Sequence, residues 1–169
     1  MKLKIREEAA GDIDAIYEVT RSAFAGRPYA AGDEQDLVNS LRDQGALSQS
    51  LVAEEDGIIL GQITFSPAQL ADGSEPWVAL GPVSVVPERQ GEGIGALLIE
   101  RGLEWARGQG ALGCILTGNP AYYERFGFVL APDNAAEEEP AEYFQLKLLA
   151  DVQPVGRFSF HPAFYEGES

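Results

Sequence analysis

The most informative part of the chain is the stretch VSVVPERQGEGIGALL, residues 83–98. It joins an apolar strand to a helix through a turn with three glycines in five residues, Gly91, Gly93 and Gly95. Glycine has no Cβ, so the backbone N–H groups of such a turn can pack directly against a ligand. The helix that follows adds unsatisfied N–H donors and a partial positive charge. This order of elements predicts an anion site, most naturally for a pyrophosphate.

Two familiar phosphate-binding loops do not match this stretch. A P-loop requires Gly-Lys-Ser/Thr where the helix starts, and this helix starts with Gly-Ala-Leu instead. A dinucleotide-binding loop can be placed on Gly91, Gly93 and Ala96. It requires an acidic residue about 20 positions later, at the end of the next strand, and the stretch 112–118 contains none. A plain glycine-rich turn without a ligand remains as an alternative.

A third pattern, Q/R-x-x-G-x-G/A, is matched by Gln90, Gly93 and Gly95. About thirty residues later comes a second motif, NPAYYERFGF at 119–128, in which Tyr123 stands four residues before Gly127. The two motifs at this separation resemble those of the GNAT superfamily of N-acetyltransferases. In that superfamily the first motif holds the pyrophosphate of acyl-CoA. The resemblance extends over roughly residues 2–149.

Other residues resemble a YhbS-like subgroup of the superfamily. Glu34 is followed by Leu-Val and Leu-Arg pairs, Pro82 precedes the loop, and 161–164 is His-Pro-Ala-Phe. The resemblance implies an α/β fold in a single GNAT-like domain over residues 2–150. Its mixed sheet would have about seven strands flanked by helices, with a splay between the two central parallel strands. Residues 151–169 would form a C-terminal extension that packs on or near the domain.

Local patterns favour the same mixed α/β class. Apolar residues at helical spacing predict helices over 13–24, 33–42 and 96–107, with Asp12 as the N-cap of the first. Asp56-Gly57 between two apolar runs predicts a hairpin with strands over 50–55 and 58–65. Proline cannot donate to a β-ladder, so Pro82 indicates an edge, a bulge or a splay. Gly102 inside the third helix indicates close packing.

Composition and charge limit the kinds of partner. The 169 residues suffice for one domain and are 45% hydrophobic. With 12 Lys+Arg against 27 Asp+Glu the net charge is −15, which disfavours nucleic acid and anionic membranes as partners. A single cysteine, Cys114, and a single histidine, His161, argue against a disulfide and a metal centre. No signal-peptide pattern or membrane-length apolar run is seen, so we expect a soluble cytoplasmic protein.

The resemblance implies a reaction and the residues that hold its cosubstrate. An acetyl group would pass directly from acetyl-CoA to an amine in a ternary complex, without a metal. The Val85 N–H would stabilise the developing oxyanion, Arg89 and Arg125 would bind outer phosphates, and Asn119 would bind the pantetheine. The full set expected to bind acetyl-CoA is Val83, Ser84, Val85, Arg89, Gln90, Gly91, Glu92, Gly93, Ile94, Gly95, Ala96, Asn119, Tyr123 and Arg125.

Two residues are expected to move protons. Tyr123 would be the general acid for the leaving thiolate, because a phenol with a pKa near ~10 stays protonated at neutral pH. Its alternative role is that of a core aromatic beside Tyr122. The stretch 80–86 carries no carboxylate, so the first candidate for the general base is Glu34, directly or through water. Ser84 could orient a water, and a lone histidine near a terminus is more often structural.

The acceptor is expected to be the amine of a small molecule or peptide. In the superfamily its pocket is usually shaped by the segment between the first two helices, here Arg27 to Asp33, which includes Tyr29. The acidic loop 131–140 would favour a cationic amine if it lay near that pocket, and it is otherwise a solvated face. A module that binds acyl-CoA without transferring the acyl group is the competing function. Homodimers are common in the superfamily.

Overall fold

A computed structural model describes residues 2–27 and 32–166, so Tyr29 lies outside the described residues. The helices are α1 (Ile13–Phe24), α2 (Glu34–Asp43), α3 (Ile94–Gly108) and α4 (Pro120–Tyr123). The strands are β1 (Leu3–Glu7), β2 (Gln49–Glu55), β3 (Ile58–Leu70), β4 (Trp77–Val85), β5 (Gly113–Thr117), β6 (Val129–Leu130), β7 (Phe144–Leu148) and β8 (Phe158–Ser159). The three long helices lie within two residues of their predicted bounds.

Seven strands form one open sheet in the order β1-β2-β3-β4-β5-β7-β6, and β8 pairs with the far end of β3. β4 and β5 run parallel, whereas the other neighbouring strands run antiparallel. The predicted mixed sheet of about seven strands is therefore confirmed. β3 continues past its predicted end at Phe65, because its last residues pair with β4 on one side and with β8 on the other.

Helices cover both faces of the sheet. α3 packs on one face, where Leu98 and Ile99 are fully buried in the main cluster of apolar residues. On the same face the Phe65 ring lies directly against Gly102, so that an added Cβ at residue 102 would overlap the ring. This confirms the close packing predicted for that glycine. α1 and α2 cover the opposite face, where Ile16 and Val38 pack together against β2.

The parallel strands β4 and β5 separate after three paired residues, the last pair being Ala79 and Ile115. At that level β4 carries a bulge, because Gly81 and Pro82 together stand opposite Thr64 of β3. A bulge bends its strand and increases the local twist. Gly81 has a φ of 137°, a conformation that side chains other than glycine rarely adopt. The predicted splay is confirmed, and Pro82 lies in the bulge from which it starts.

Two predicted turns have different outcomes. Asp56 and Gly57 have φ angles of 54° and 80° and connect β2 to β3, as expected for this dipeptide in a hairpin. Asp12, however, does not cap α1. Its carboxylate accepts the Ala9 N–H at 2.6 Å and pairs with Arg6 of β1 at 2.7 Å. The reason is that a turn of 3₁₀ helix at 10–12 precedes α1 and directs the carboxylate back toward β1.

The C-terminal segment lies against the sheet. Phe158 in β8 is buried and meets the Trp77 ring edge-on, with 4.9 Å between centroids. His161 caps the short helix 162–165, because its Nδ1 accepts the Ala163 N–H at 3.0 Å. That contact gives the histidine a structural role. Among residues 2–27 and 32–166, no helix combines the length and apolarity needed to cross a bilayer.

Candidate active site

A cavity of about 600 Å³ opens beside the end of β4. Its walls come from the end of α1, the last residues of β4, the glycine loop, the first turn of α3, and Tyr122 and Arg125. Eleven of the fourteen residues predicted to bind acetyl-CoA line it: Val83, Ser84, Val85, Arg89, Gln90, Gly91, Gly93, Ile94, Gly95, Ala96 and Arg125. The structure thus brings together residues that are distant in the sequence.

The glycine loop leaves backbone N–H groups available at the start of α3. Gly91 and Gly93 have φ angles of 84° and 87°, which only glycine adopts without strain. The first hydrogen bond of α3 runs from the Leu97 N–H to the Gly93 carbonyl at 3.1 Å. The backbone N–H groups of Ile94, Gly95 and Ala96 therefore have no hydrogen-bond acceptor within the helix. A Cβ at Gly95 would lie 3.6 Å from the Tyr122 hydroxyl, in ordinary van der Waals contact, so Gly95 borders Tyr122 across the cavity.

The two arginines predicted to bind phosphates have different surroundings. Arg89 pairs with Glu55 of β2 at 3.0 Å and with Glu92 at 2.9 Å, and these contacts raise its pKa. Both carboxylates offset its charge, and the pair with Glu55 fastens the loop to the sheet. Arg125 lies over the Tyr122 ring at 4.6 Å and donates to the Tyr122 carbonyl at 3.0 Å. No ion pair among the described residues involves Arg125, which lines this cavity and also a neighbouring pocket that contains Glu100 and Glu104.

Gln90 connects the loop to the end of α1. Its amide nitrogen donates to the Val85 carbonyl at 3.0 Å, and its amide oxygen accepts from Arg27 at 2.8 Å. Arg27 also donates to the Ala23 carbonyl at 3.4 Å, at the end of α1. The glutamine of the first motif therefore positions the backbone of β4 where the cavity begins.

The two adjacent tyrosines of the second motif face different surroundings. Tyr123 packs against the end of β5, where a Cβ at Gly118 would lie 2.7 Å from its ring. It also meets Phe128 edge-on at 5.9 Å. The side chain that lines the cavity is Tyr122, and burial raises the pKa of its hydroxyl. The sequence analysis did not identify Tyr122 as a site residue. Because adjacent residues of a helix point about 100° apart, the sequence did indicate that Tyr122 and Tyr123 would face different surroundings.

Three other predicted site residues lie away from the cavity lining. Glu34 begins α2, and its carboxylate accepts the Gly32 N–H at 3.1 Å. Asn119 caps α4, with its side-chain oxygen accepting the Ala121 N–H at 3.0 Å. Glu92 faces Arg89 in the pair described above. Cys114 is fully buried in β5, which raises the pKa of its thiol, and no metal-binding group of side chains occurs among the described residues.

Several known proteins are similar to this chain in sequence and in fold. The family model described as "Acetyltransferase (GNAT) family" matches residues 13–128. A GNAT family acetyltransferase from Brucella melitensis, solved in complex with acetyl-CoA, superposes with a TM-score of 0.86 and 44% identity, covering 96% of this chain and 98% of that chain. YhbS from Escherichia coli, solved in complex with CoA, gives a TM-score of 0.89 and 30% identity over 98% of this chain and 93% of that chain.

Curated relatives agree with the structural neighbours. YhbS of Escherichia coli strain K12 is 34% identical over 110 residues, which are 64% of this chain and 66% of YhbS. YjhQ of the same strain is 37% identical over 121 residues, 69% of this chain and 64% of YjhQ. Each alignment spans just under two thirds of the relative's length. The predicted resemblance to YhbS is confirmed. With the family model matching residues 13–128, the chain belongs to the GNAT family of acetyltransferases.

Proposed function

We propose that the protein transfers an acetyl group directly from acetyl-CoA to the amine of a small molecule or peptide in a ternary complex. The observation that carries the proposal is the glycine loop at the start of α3, which borders the cavity beside the splayed end of β4. Two relatives with bound acetyl-CoA or CoA support the choice of cosubstrate. We place the reaction in the cytoplasm, where acetyl-CoA is available.

The cosubstrate would be held by backbone and charge together. The N–H groups of the loop and of the first turn of α3 would bind the pyrophosphate. The backbone of Val83 and Ser84, which line the cavity, would lie along the pantetheine arm. Arg125 would supply most of the positive charge for the outer phosphates, whereas Arg89 mainly fastens the loop. Asn119 would donate to the pantetheine from its amide nitrogen, because its oxygen caps α4.

The chemistry would use three groups of this chain. As the amine nitrogen bonds to the thioester carbonyl carbon, the Val85 N–H would stabilise the charge that develops on the carbonyl oxygen. The C–S bond then breaks, and Tyr123 would give its hydroxyl proton to the leaving sulfur. The attacking nitrogen must also lose one proton as the amide forms. Glu34 would take it through water, since its carboxylate lies off the cavity lining.

A thiol-release assay tests the proposal. Purified protein with acetyl-CoA and a panel of primary amines should release free thiol with at least one amine, and mass spectrometry should find that amine acetylated. The competing function is an acyl-CoA-binding module, which one observation favours: no carboxylate among the described residues lines the cavity. That function predicts acetyl-CoA binding without thiol release for any amine in the panel.

A further inference from the structure

Buried uncharged polar side chains collect on one face of the sheet, beneath α1. Alternate residues of β3 share a face, as do residues directly opposite in register on β2 and β4. Six of the eight buried polar side chains among the described residues belong to this group. The group, called the polar seam below, consists of Thr20, Ser50, Gln62, Thr64, Ser66 and Ser84. Most buried polar side chains of the described residues thus lie on this face, on or beside the three strands around the bulge of β4.

The orientation of the Gln62 amide follows from its partners. The Pro82 carbonyl can only accept a hydrogen bond, so the amide nitrogen of Gln62 must be the atom that faces it, at 3.3 Å. The same nitrogen donates to Ser84 Oγ at 3.0 Å, and the amide oxygen accepts from the Thr64 hydroxyl at 2.9 Å. Since Pro82 belongs to the bulge, Gln62 joins the bulge and Ser84 into one hydrogen-bonded unit.

The hydroxyl protons can then be assigned in order. Thr20 of α1 donates to the Ile16 carbonyl at 2.7 Å, so the proton between Thr20 and Ser84, 3.2 Å apart, comes from Ser84. A hydroxyl has one proton and two lone pairs, and Gln62 occupies one of these pairs. Ser84 keeps the other, and Ser84 also lines the cavity beside Ala23 and Phe24. A ligand that reaches Ser84 Oγ from the cavity would therefore meet an acceptor and no donor.

We propose that Ser84 accepts a hydrogen bond from the attacking amine, and that Gln62 is the positioning residue that fixes Ser84 for this contact. The inference rests on the proposed acetyl transfer and specifies how the acceptor binds. One N–H of the amine points at Ser84 while the nitrogen lone pair faces the thioester carbonyl carbon. The new C–N bond forms as the C–S bond breaks, and the thiolate takes the Tyr123 proton. The proton that the nitrogen loses passes through water to Glu34, and the Tyr123 hydroxyl is then restored through solvent.

The charge of the site limits the class of amine. The polar seam carries no charge, and no carboxylate among the described residues lines the cavity. An ammonium ion would lose its hydration there without gaining a counter-ion, which is costly. The amine therefore binds in its neutral form. Weakly basic amines, such as the α-amino group of a peptide with a pKa of about 8, fit this site better than a lysine side chain with a pKa of about 10.4.

Three variants test the roles of Ser84 and Gln62. Ser84→Ala removes the acceptor, whereas Gln62→Glu keeps the shape and the acceptor for Thr64 but loses both N–H donors. Ser66→Ala is the matched control, because it removes a buried hydroxyl of the same seam that has no hydrogen-bond partner among the described residues. We expect Ser84→Ala and Gln62→Glu to lower kcat/KM for the amine about tenfold, with acetyl-CoA affinity within about twofold of wild type. The control should match wild type in both.

The pH dependence separates positioning from a structural role. For two amine substrates of different basicity, kcat/KM of the wild type should rise with pH and level off at each amine's own pKa. For an amine with a pKa of about 8, a profile that falls just above that pKa, well below the range in which a tyrosine ionises, would mean that the enzyme binds the ammonium ion and deprotonates it, which overturns the inference. Thermal melting establishes whether each variant is folded. If Gln62→Glu does not fold, the comparison of Ser84→Ala with wild type still tests the inference.

The remaining outcomes are distinguishable. If wild-type protein acetylates no amine, the proposed function fails and this inference fails with it. If wild type acetylates an amine and Ser84→Ala retains its kcat/KM within about twofold, only the inference is overturned. An equal loss in Ser66→Ala would assign the effect to packing of the seam and would overturn it as well.

Discussion

At the residue scale, Tyr122 and Tyr123 of the second motif are expected to have different roles, and substitutions can test this. Tyr123→Phe removes the proposed proton donor while keeping the ring that packs on β5. We expect kcat for acetyl transfer to fall by about 10²-fold or more, with acetyl-CoA affinity unchanged. Thiol release and calorimetry measure the two quantities separately.

Tyr122→Phe is the matched control for that experiment, because it removes the neighbouring hydroxyl that lines the cavity. We expect it to change kcat by less than about fivefold. A large loss of kcat in Tyr122→Phe together with a normal Tyr123→Phe enzyme would reverse the two roles.

The two arginines also allow a residue-scale prediction. A charged hydrogen bond contributes about 1.5–3 kcal/mol, so Arg125→Ala should weaken acetyl-CoA binding by roughly 10- to 100-fold. Arg89→Gln should weaken it less than Arg125→Ala does, because two carboxylates already offset the charge of Arg89 and the substitution removes an anchor of the loop to β2, not a phosphate contact. Calorimetric titration of both variants measures this difference, and a larger effect at Arg89 would contradict it.

Residues whose role is set by local sequence were predictable, and residues whose role depends on distant contacts were not. The glycines of the loop were predictable because a strand, a turn and a helix must follow each other there. The pairing of Arg89 with Glu55 joins residues 34 positions apart. The contact from Gln62 to Ser84 depends on the register between two strands, and no local pattern indicates it.

At the element scale, the packing of α3 on the sheet depends on a missing side chain. Gly102→Ala should lower the free energy of unfolding by about 1–3 kcal/mol, because the new methyl group overlaps the Phe65 ring. The higher helix propensity of alanine offsets about 1 kcal/mol of this cost. Chemical denaturation measures the change.

Gly108 provides the control within the same helix. A Cβ at Gly108 would meet nothing within 4 Å, and Gly108 ends α3. Gly108→Ala should therefore leave stability unchanged or raise it by up to about 1 kcal/mol. Equal destabilisation by both substitutions would mean that the contact with Phe65 is not responsible.

Elements differed in how far the sequence could predict them. The hairpin at Asp56-Gly57 was predictable because the turn residues themselves require its geometry. β8 was not predicted, since it has only two residues and exists through its pairing with the end of β3. The role of Asp12 was predicted wrongly because its partner Arg6 lies on β1, outside the local helix signal.

At the scale of the whole molecule, the net charge of −15 makes local charge decisive for an anionic ligand. Among the described residues that line the cavity, only Arg89 and Arg125 carry a charge at neutral pH. None of the acidic loop 131–140 lines the cavity, and Glu139 instead accepts the Tyr165 hydroxyl at 2.7 Å. The described acidic side chains therefore contribute nothing to the cavity lining, and an anionic ligand there depends on the glycine loop and Arg125.

The most direct test of the central claim, that the glycine loop binds acetyl-CoA, is a calorimetric titration of wild-type protein and Gly93→Glu, with NADH as the control ligand. Gly110→Glu is the matched variant, since Gly110 has a φ of 79° in the turn after α3 and lies outside the cavity lining. We predict micromolar binding of acetyl-CoA and none of NADH for wild type and Gly110→Glu, and no binding for folded Gly93→Glu. Absence of binding in wild type, or normal affinity in Gly93→Glu, would contradict the claim.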